Sequence, residues 1–121
     1  MREKQPVYIA NNYYGDGVGA FEKEDGAVLS DVASEVKIVE EEDGLYLEIT
    51  LDSSFEGMQT ETVTTEMLGT PRLTEERFEN PDGSPICVNT DMLGHIRGAN
   101  PTAGPLEGLK AGKNRIKIWN K

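Results

Sequence analysis

Four flat aromatics and one imidazole are the side chains here with the most chemistry to offer. Trp119 sits between Lys117 and Asn120, and Tyr13, Tyr14 and Tyr46 follow it in interest. Exposed aromatic rings stack on pyranose faces, and adjacent polar groups take the hydroxyls. That makes these four the candidate carbohydrate-binding residues. The competing use of a lone Trp is to pack a terminal strand onto the core. His95 is the sole imidazole, so any histidine acid–base chemistry must use it. It follows Gly94 in a loop without a Ser or Cys nucleophile motif, and no catalytic residue is assigned. Asp91 and Arg97 lie across a Gly turn. A carboxylate and a guanidinium so placed can form a bidentate pair that structures a loop.

Other chemistries find no pattern. H-E-x-x-H, paired Cys/His metal spacing, the Walker A loop and the dinucleotide glycine fingerprint are all missing. Asp16-Gly17 does not extend into an EF-hand loop. The run Glu40-Glu41-Glu42-Asp43 reads either as a hard-cation site or as a solvated hairpin tip; cation binding needs ligands converging at defined offsets, and the solvated tip is the expectation. No metal and no cofactor are expected. Glycosidase carboxylates cannot be picked out by spacing alone among 22 acids.

Composition bounds the rest. A length of 121 residues with four Tyr, three Phe and one Trp supports one small domain with a small core. A net charge of −10 makes nucleic acid and anionic membrane poor partners. No apolar run approaches the roughly 20 residues of a membrane span. Cys87 is alone, which excludes an internal disulfide and suits a small apolar strand residue. Met1-Arg-Glu-Lys-Gln-Pro6 does not read as a signal peptide.

The elements that must position these groups are strands and turns. Val7–Tyr14 reads as a β segment ended by Gly15-Asp-Gly17. Glu22–Glu35 reads as an acidic loop with an extended piece near Ala27–Leu29. Apolar alternation on both sides of Glu42-Asp43-Gly44 predicts a hairpin over 36–51. Leu45, Leu47, Ile49 and Leu51 then face the core, and Tyr46, Glu48 and Thr50 face out. Asp52-Ser53-Ser54 predicts a helix N-cap and a short turn through Phe55–Met58. Thr-rich Gln59–Leu68 reads as a long strand stopped by Gly69-Thr-Pro71. Asn80-Pro-Asp-Gly83 is a turn, with Phe78 and Ile86–Val88 expected to pair across it. Gly112-Lys-Asn114 predicts a turn and Arg115–Trp119 a strand, Ile116 and Ile118 on one face and Arg115, Lys117 and Trp119 on the other. No repeat or interdomain linker is visible. The expected fold is all-β: a small antiparallel sheet or sandwich with long irregular loops and little helix, residues 1–121 forming one domain.

The segment Asn89–Glu107 carries a resemblance. Asp91, Gly94, Arg97, Pro101, Gly104 and Glu107 form D-x2-G-x2-R-x3-P-x2-G-x2-E. This resembles the C-terminal segment of secreted bacterial right-handed parallel β-helix proteins of the pectate-lyase-like architecture. The run Ile9-Ala-Asn-Asn-Tyr-Tyr14 is similar to their last rung, where Asn amides ladder at solenoid corners. It reads equally as an edge strand with an Asn turn. The resemblance implies a C-terminal module of an extracellular or periplasmic polysaccharide-processing protein. Its partners would be the upstream β-helix domain of that parent, polysaccharide, and a second copy paired through the first strand. It implies no catalytic residue, because the family's catalytic rungs lie outside this stretch. The implied function is non-catalytic capping or carbohydrate association. The alternatives are part of a polysaccharide lyase or glycosidase active-site region, and an independent carbohydrate-binding module.

Overall fold

Apolar and polar residues alternate from Val36 to Leu51 around an acidic turn, and that stretch forms the centre of the structure. In the computed structural model, which describes residues 7–58 and 60–121, β3 (Val36–Glu41) and β4 (Gly44–Leu51) form the expected antiparallel hairpin. Its third strand is β5 (Gly112–Asn120), antiparallel to β4, giving the order β3-β4-β5. A bulge between Leu45 and Tyr46 places Trp119 opposite Leu45 and Lys117 opposite Tyr46. Trp119 therefore does not share a register face with Arg115 and Lys117, as plain alternation predicts. Gly44 lies so close to β5 that an added Cβ would collide with the Trp119 carbonyl.

Two units divide the chain. Unit 1 comprises residues 1–59 and 108–121, and unit 2 comprises 60–107. Unit 1 also holds a parallel pair, β1 (Tyr13–Tyr14) and β2 (Val28–Leu29). Of the β segment expected over 7–14, only Tyr13–Tyr14 is a strand and Ala10 a bridge. The pairing keeps one offset of 15 residues: Ala10 to Asp25, Tyr13 to Val28, Tyr14 to Leu29. The expected turn over Phe55–Met58 is a 3-10 turn, Ser53–Gly57. Asp52 caps it, accepting from Ser54 N–H at 2.8 Å and from the Ser30 hydroxyl at 2.5 Å. Those bonds hold the Asp52 carboxyl down at about 2.

The core is small. Leu51 and Phe55 are buried in unit 1, and Leu106 in unit 2. Leu47 and Ile49, expected to be buried, are half-buried, as are Tyr46 and Glu48 on the opposite register face. The reason lies on the sheet itself: Val36 and Ile38, on the same register face as Leu47 and Ile49, are 59% and 58% exposed.

Unit 2 departs most from expectation. The Thr-rich stretch is not a strand; Gln59 lies outside the described residues, Thr64 makes one isolated bridge with Cys87, and α1 spans Thr65–Leu68. Its threonines spend their hydroxyls on backbone groups instead of a ladder. Thr64 accepts from Met67 N–H at 3.2 Å as the N-cap, and Thr60 and Thr62 donate to the Pro101 and Gly98 carbonyls. Buried Thr65 donates to the Phe78 carbonyl at 2.6 Å and accepts from Ile86 N–H at 2.6 Å. This hydroxyl replaces the expected pairing of Phe78 with Ile86. The turn at Asn80–Gly83 forms as predicted, with Gly83 N–H donating to Asn80 O at 2.8 Å. Among the described residues the regular structure is thus mostly strand, a small antiparallel sheet with irregular loops and little helix: one 3-10 turn and one α turn.

Candidate functional site

Basic residues alternate along β5, and acids crowd the hairpin tip. Antiparallel pairing brings the two sets together. Lys113 reaches Glu48 at 3.6 Å, Arg115 reaches Glu41 at 2.6 Å, Lys117 reaches Asp43 at 2.8 Å and Lys121 reaches Glu40 at 2.7 Å. The acidic run is therefore tied to the basic strand rather than arranged around a cation. Among the described residues no group of three His, Cys, Asp or Glu converges as a metal set.

Tyr46 lies in the middle of this network. Its hydroxyl donates to Asp43 at 2.9 Å, the Arg115 guanidinium covers its ring at 4.4 Å from the centroid, and Lys117 stands at 6.0 Å. The hydrogen bonds from Lys117 and Tyr46 hold the Asp43 carboxyl below its ordinary range. Donating to Asp43 raises the Tyr46 phenol, and the same carboxylate raises the Lys117 ammonium. Glu41, Glu42, Asp43, Tyr46 and Arg115 line an open groove of about 630 Å³. An aromatic edge flanked by carboxylates and a guanidinium suits a polyhydroxyl ligand: the oxygens accept from hydroxyls, and the guanidinium donates to them.

The other aromatics lie elsewhere. Trp119 is on the same sheet, opposite Leu45 and 67% exposed. Tyr13 and Tyr14 belong to the parallel pair. Tyr13 meets Phe55 edge-on at 5.3 Å, and its buried hydroxyl has no partner among the described residues. Tyr14 donates to Glu24 at 2.6 Å, which raises the phenol and lowers the carboxyl. The four sequence candidates thus divide between two sheets, and Arg115, Glu41 and Asp43 join Tyr46 instead. Arg115 and Lys117 are legible as one face of a strand, but its pairing with the distant hairpin cannot be read from local pattern.

In unit 2, Asp91 and Arg97 do not bond one another. Asp91 accepts from Leu93 N–H and His95 N–H at 2.9 Å and from Glu107 N–H and His95 Nδ1 at 3.0 Å. Burial opposes its charge, yet these donors outweigh burial and hold it well below the carboxylate range. Arg97 pairs with Glu107 at 2.8 Å and donates to the Thr102 and Gly104 carbonyls at 2.6 Å. The Gly94 turn brings the His95 ring, not the guanidinium, to Asp91. His95 is itself 66% exposed at the side chain.

No family model matches the chain, and no curated protein matches it. A solved structure, described as the complex structure of XylC with xylose, superposes with a TM-score of 0.89 at 34% identity over 96% of this chain. The match spans 18% of that longer chain. The chain is thus similar to about a fifth of a protein solved with a pentose bound.

Proposed function

We propose that this chain is a non-catalytic module of a longer carbohydrate-processing protein, extracellular or periplasmic, that caps a parallel β-helix domain and associates with carbohydrate. The observation that carries this reading is the 34% identity, over 96% of the chain, to a fifth of the xylose-bound XylC structure. The open groove beside Tyr46 favours a second reading, an independent carbohydrate-binding module. A nuclear magnetic resonance titration with xylose and xylo-oligosaccharides, run beside a hydrolysis assay, tests both. The capping module turns over neither sugar nor polyuronate, and it gives at most weak sugar shifts. A saturable response centred on Tyr46 and Arg115 supports the independent module. Turnover by the purified chain that His95→Ala abolishes overturns the non-catalytic reading.

A further inference from the structure

The β3-β4-β5 sheet has two unlike faces. One carries Tyr46, Arg115 and Lys117, and its charges close on one another in ion pairs. The other is set by register. Ile38, Leu47 and Ile116 form one row across the three strands, and Glu40, Leu45 and Trp119 form the next. This face is apolar and open. Val36 and Ile38 on β3 are more than half exposed, and so is Trp119 on β5. The bulge after Leu45 is what brings the indole to this side. Apolar sheet faces are ordinarily covered, and a contiguous apolar patch with a polar rim marks a contact surface.

Size and charge decide what fits it. Five residues of β3, Val36 to Glu40, at about 3.4 Å each, and three strands about 4.8 Å apart give a face of roughly 250 Å². Two copies meeting here bury about 500 Å² in all, half of the roughly 1,000 Å² that a specific protein interface needs. Each copy also carries a net charge of −10, which repels a second copy and an anionic chain alike. An uncharged ligand meets neither obstacle. The rim supplies polar groups: the row that ends in Trp119 begins in Glu40, which pairs with Lys121 at 2.7 Å. A pyranose has the matching surface. Its C–H faces suit the indole and the apolar rows, and its hydroxyls suit a carboxylate acceptor and an ammonium donor. An apolar protein segment would centre on the Ile38 row and leave the ion pair unused.

We infer that the apolar face of β3-β4-β5, with Trp119 as its platform and the Glu40–Lys121 pair at its rim, binds a short stretch of an uncharged polysaccharide. The inference rests on the carbohydrate-association reading and moves the contact from the Tyr46 groove to the opposite face of the same sheet.

Trp119 is the sole tryptophan, so its emission reports on this face alone. The full chain is titrated with xylohexaose and, separately, with a galacturonate oligomer of the same length, followed by fluorescence and by methyl resonances. Xylohexaose is expected to change the emission saturably, with a midpoint at roughly millimolar concentration, and to shift Ile38, Leu45 and Ile116. The uronate is expected to bind about tenfold more weakly, the gap narrowing as salt is raised. Trp119→Ala is expected to weaken the methyl response about tenfold while β3–β5 keep their amide protection, and Trp119→Tyr to restore part of it. Unchanged emission, an undiminished response in Trp119→Ala, or equal binding of the uronate would each overturn the inference. Shifts confined to Tyr46 and Arg115 would overturn it too, yet keep the carbohydrate association; no shift anywhere would remove that association as well. Emission that follows the protein's own concentration, with no response to sugar, gives the face to a second copy and overturns the inference.

Discussion

The two units solve the same problem, a core too small to hold the chain, in different ways. Unit 1 relies on backbone ladders: β3, β4 and β5 satisfy one another along their lengths, and their side chains add surface ion pairs. Unit 2 has no ladder among its described residues, only isolated bridges. A few polar side chains do that work there: Thr65, Asp91 and Arg97 each bond two or more backbone groups, and Glu107 binds the Thr102 N–H and the Arg97 guanidinium. The surface ion pairs of unit 1 should accordingly be dispensable, and the polar side chains named in unit 2 should not.

The largest effect is expected at Asp91. Asp91→Ala leaves three backbone N–H donors of a tight loop without an acceptor, so the amides of residues 91–107 should lose their protection while β3–β5 keep theirs. Hydrogen exchange checks both halves. The same carboxylate gives a pH arm. Its folded pKa is depressed, so its contribution is complete above the unfolded Asp value of about 3.9. Below that value the unfolded state binds the proton more readily, and stability falls with pH. Loosening of residues 91–107 on acidification, smaller in Asp91→Ala where only Glu107 of the two depressed carboxyls remains to titrate, is the expected signature.

Next come apolar truncations on β4. Leu51→Ala, at a buried site, should cost about 2–5 kcal/mol by urea unfolding. Leu47→Ala, half-buried, should cost less than Leu51→Ala; an equal cost would mean that the exposed sheet face is covered in solution. Thr65→Val keeps the shape and leaves the Ile86 N–H and the Phe78 carbonyl unpaired, for a loss of about 1–3 kcal/mol in the same measurement. Arg115→Ala is the smallest. It removes an exposed pair with Glu41 and should cost about 0–1 kcal/mol, decreasing as salt is raised. A loss at Arg115 larger than that at Thr65 would erase the distinction between the units.

The same distinction explains what the sequence shows. The hairpin, the Asp52 cap and the Asn80–Gly83 turn rest on neighbours in the chain, and all are legible from pattern; the hairpin turns at Glu42-Asp43, one residue before the Asp-Gly pair that signals it, with Gly44 already paired in β4. The register of β5 on β4 joins residues some 70 positions apart, and its bulge moves Trp119 off the face that alternation assigns. The parallel pair is two residues per strand, too short for periodicity to show. The Thr-rich stretch misleads because β-branched residues favour strands only while their hydroxyls remain idle; here the hydroxyls cap and bridge loops. For the candidate site, Tyr46 is legible as an aromatic on an outward position. Its companions Arg115 and Glu41 come from distant strands and are not.

The Gly44 contact with β5 bears on the order of folding. Everything in the hairpin is available once residue 51 has left the ribosome, but the edge of β4 stays bare until residues 112–120 follow. At about 5–20 residues per second that interval lasts seconds. Residues 60–107 emerge meanwhile and can fold before unit 1 is closed. Pairing at such long range slows closure further. A chain cut short of β5 would carry an unprotected apolar edge for its whole lifetime, so loss of the last ten residues should send the protein to aggregates rather than to a smaller fold.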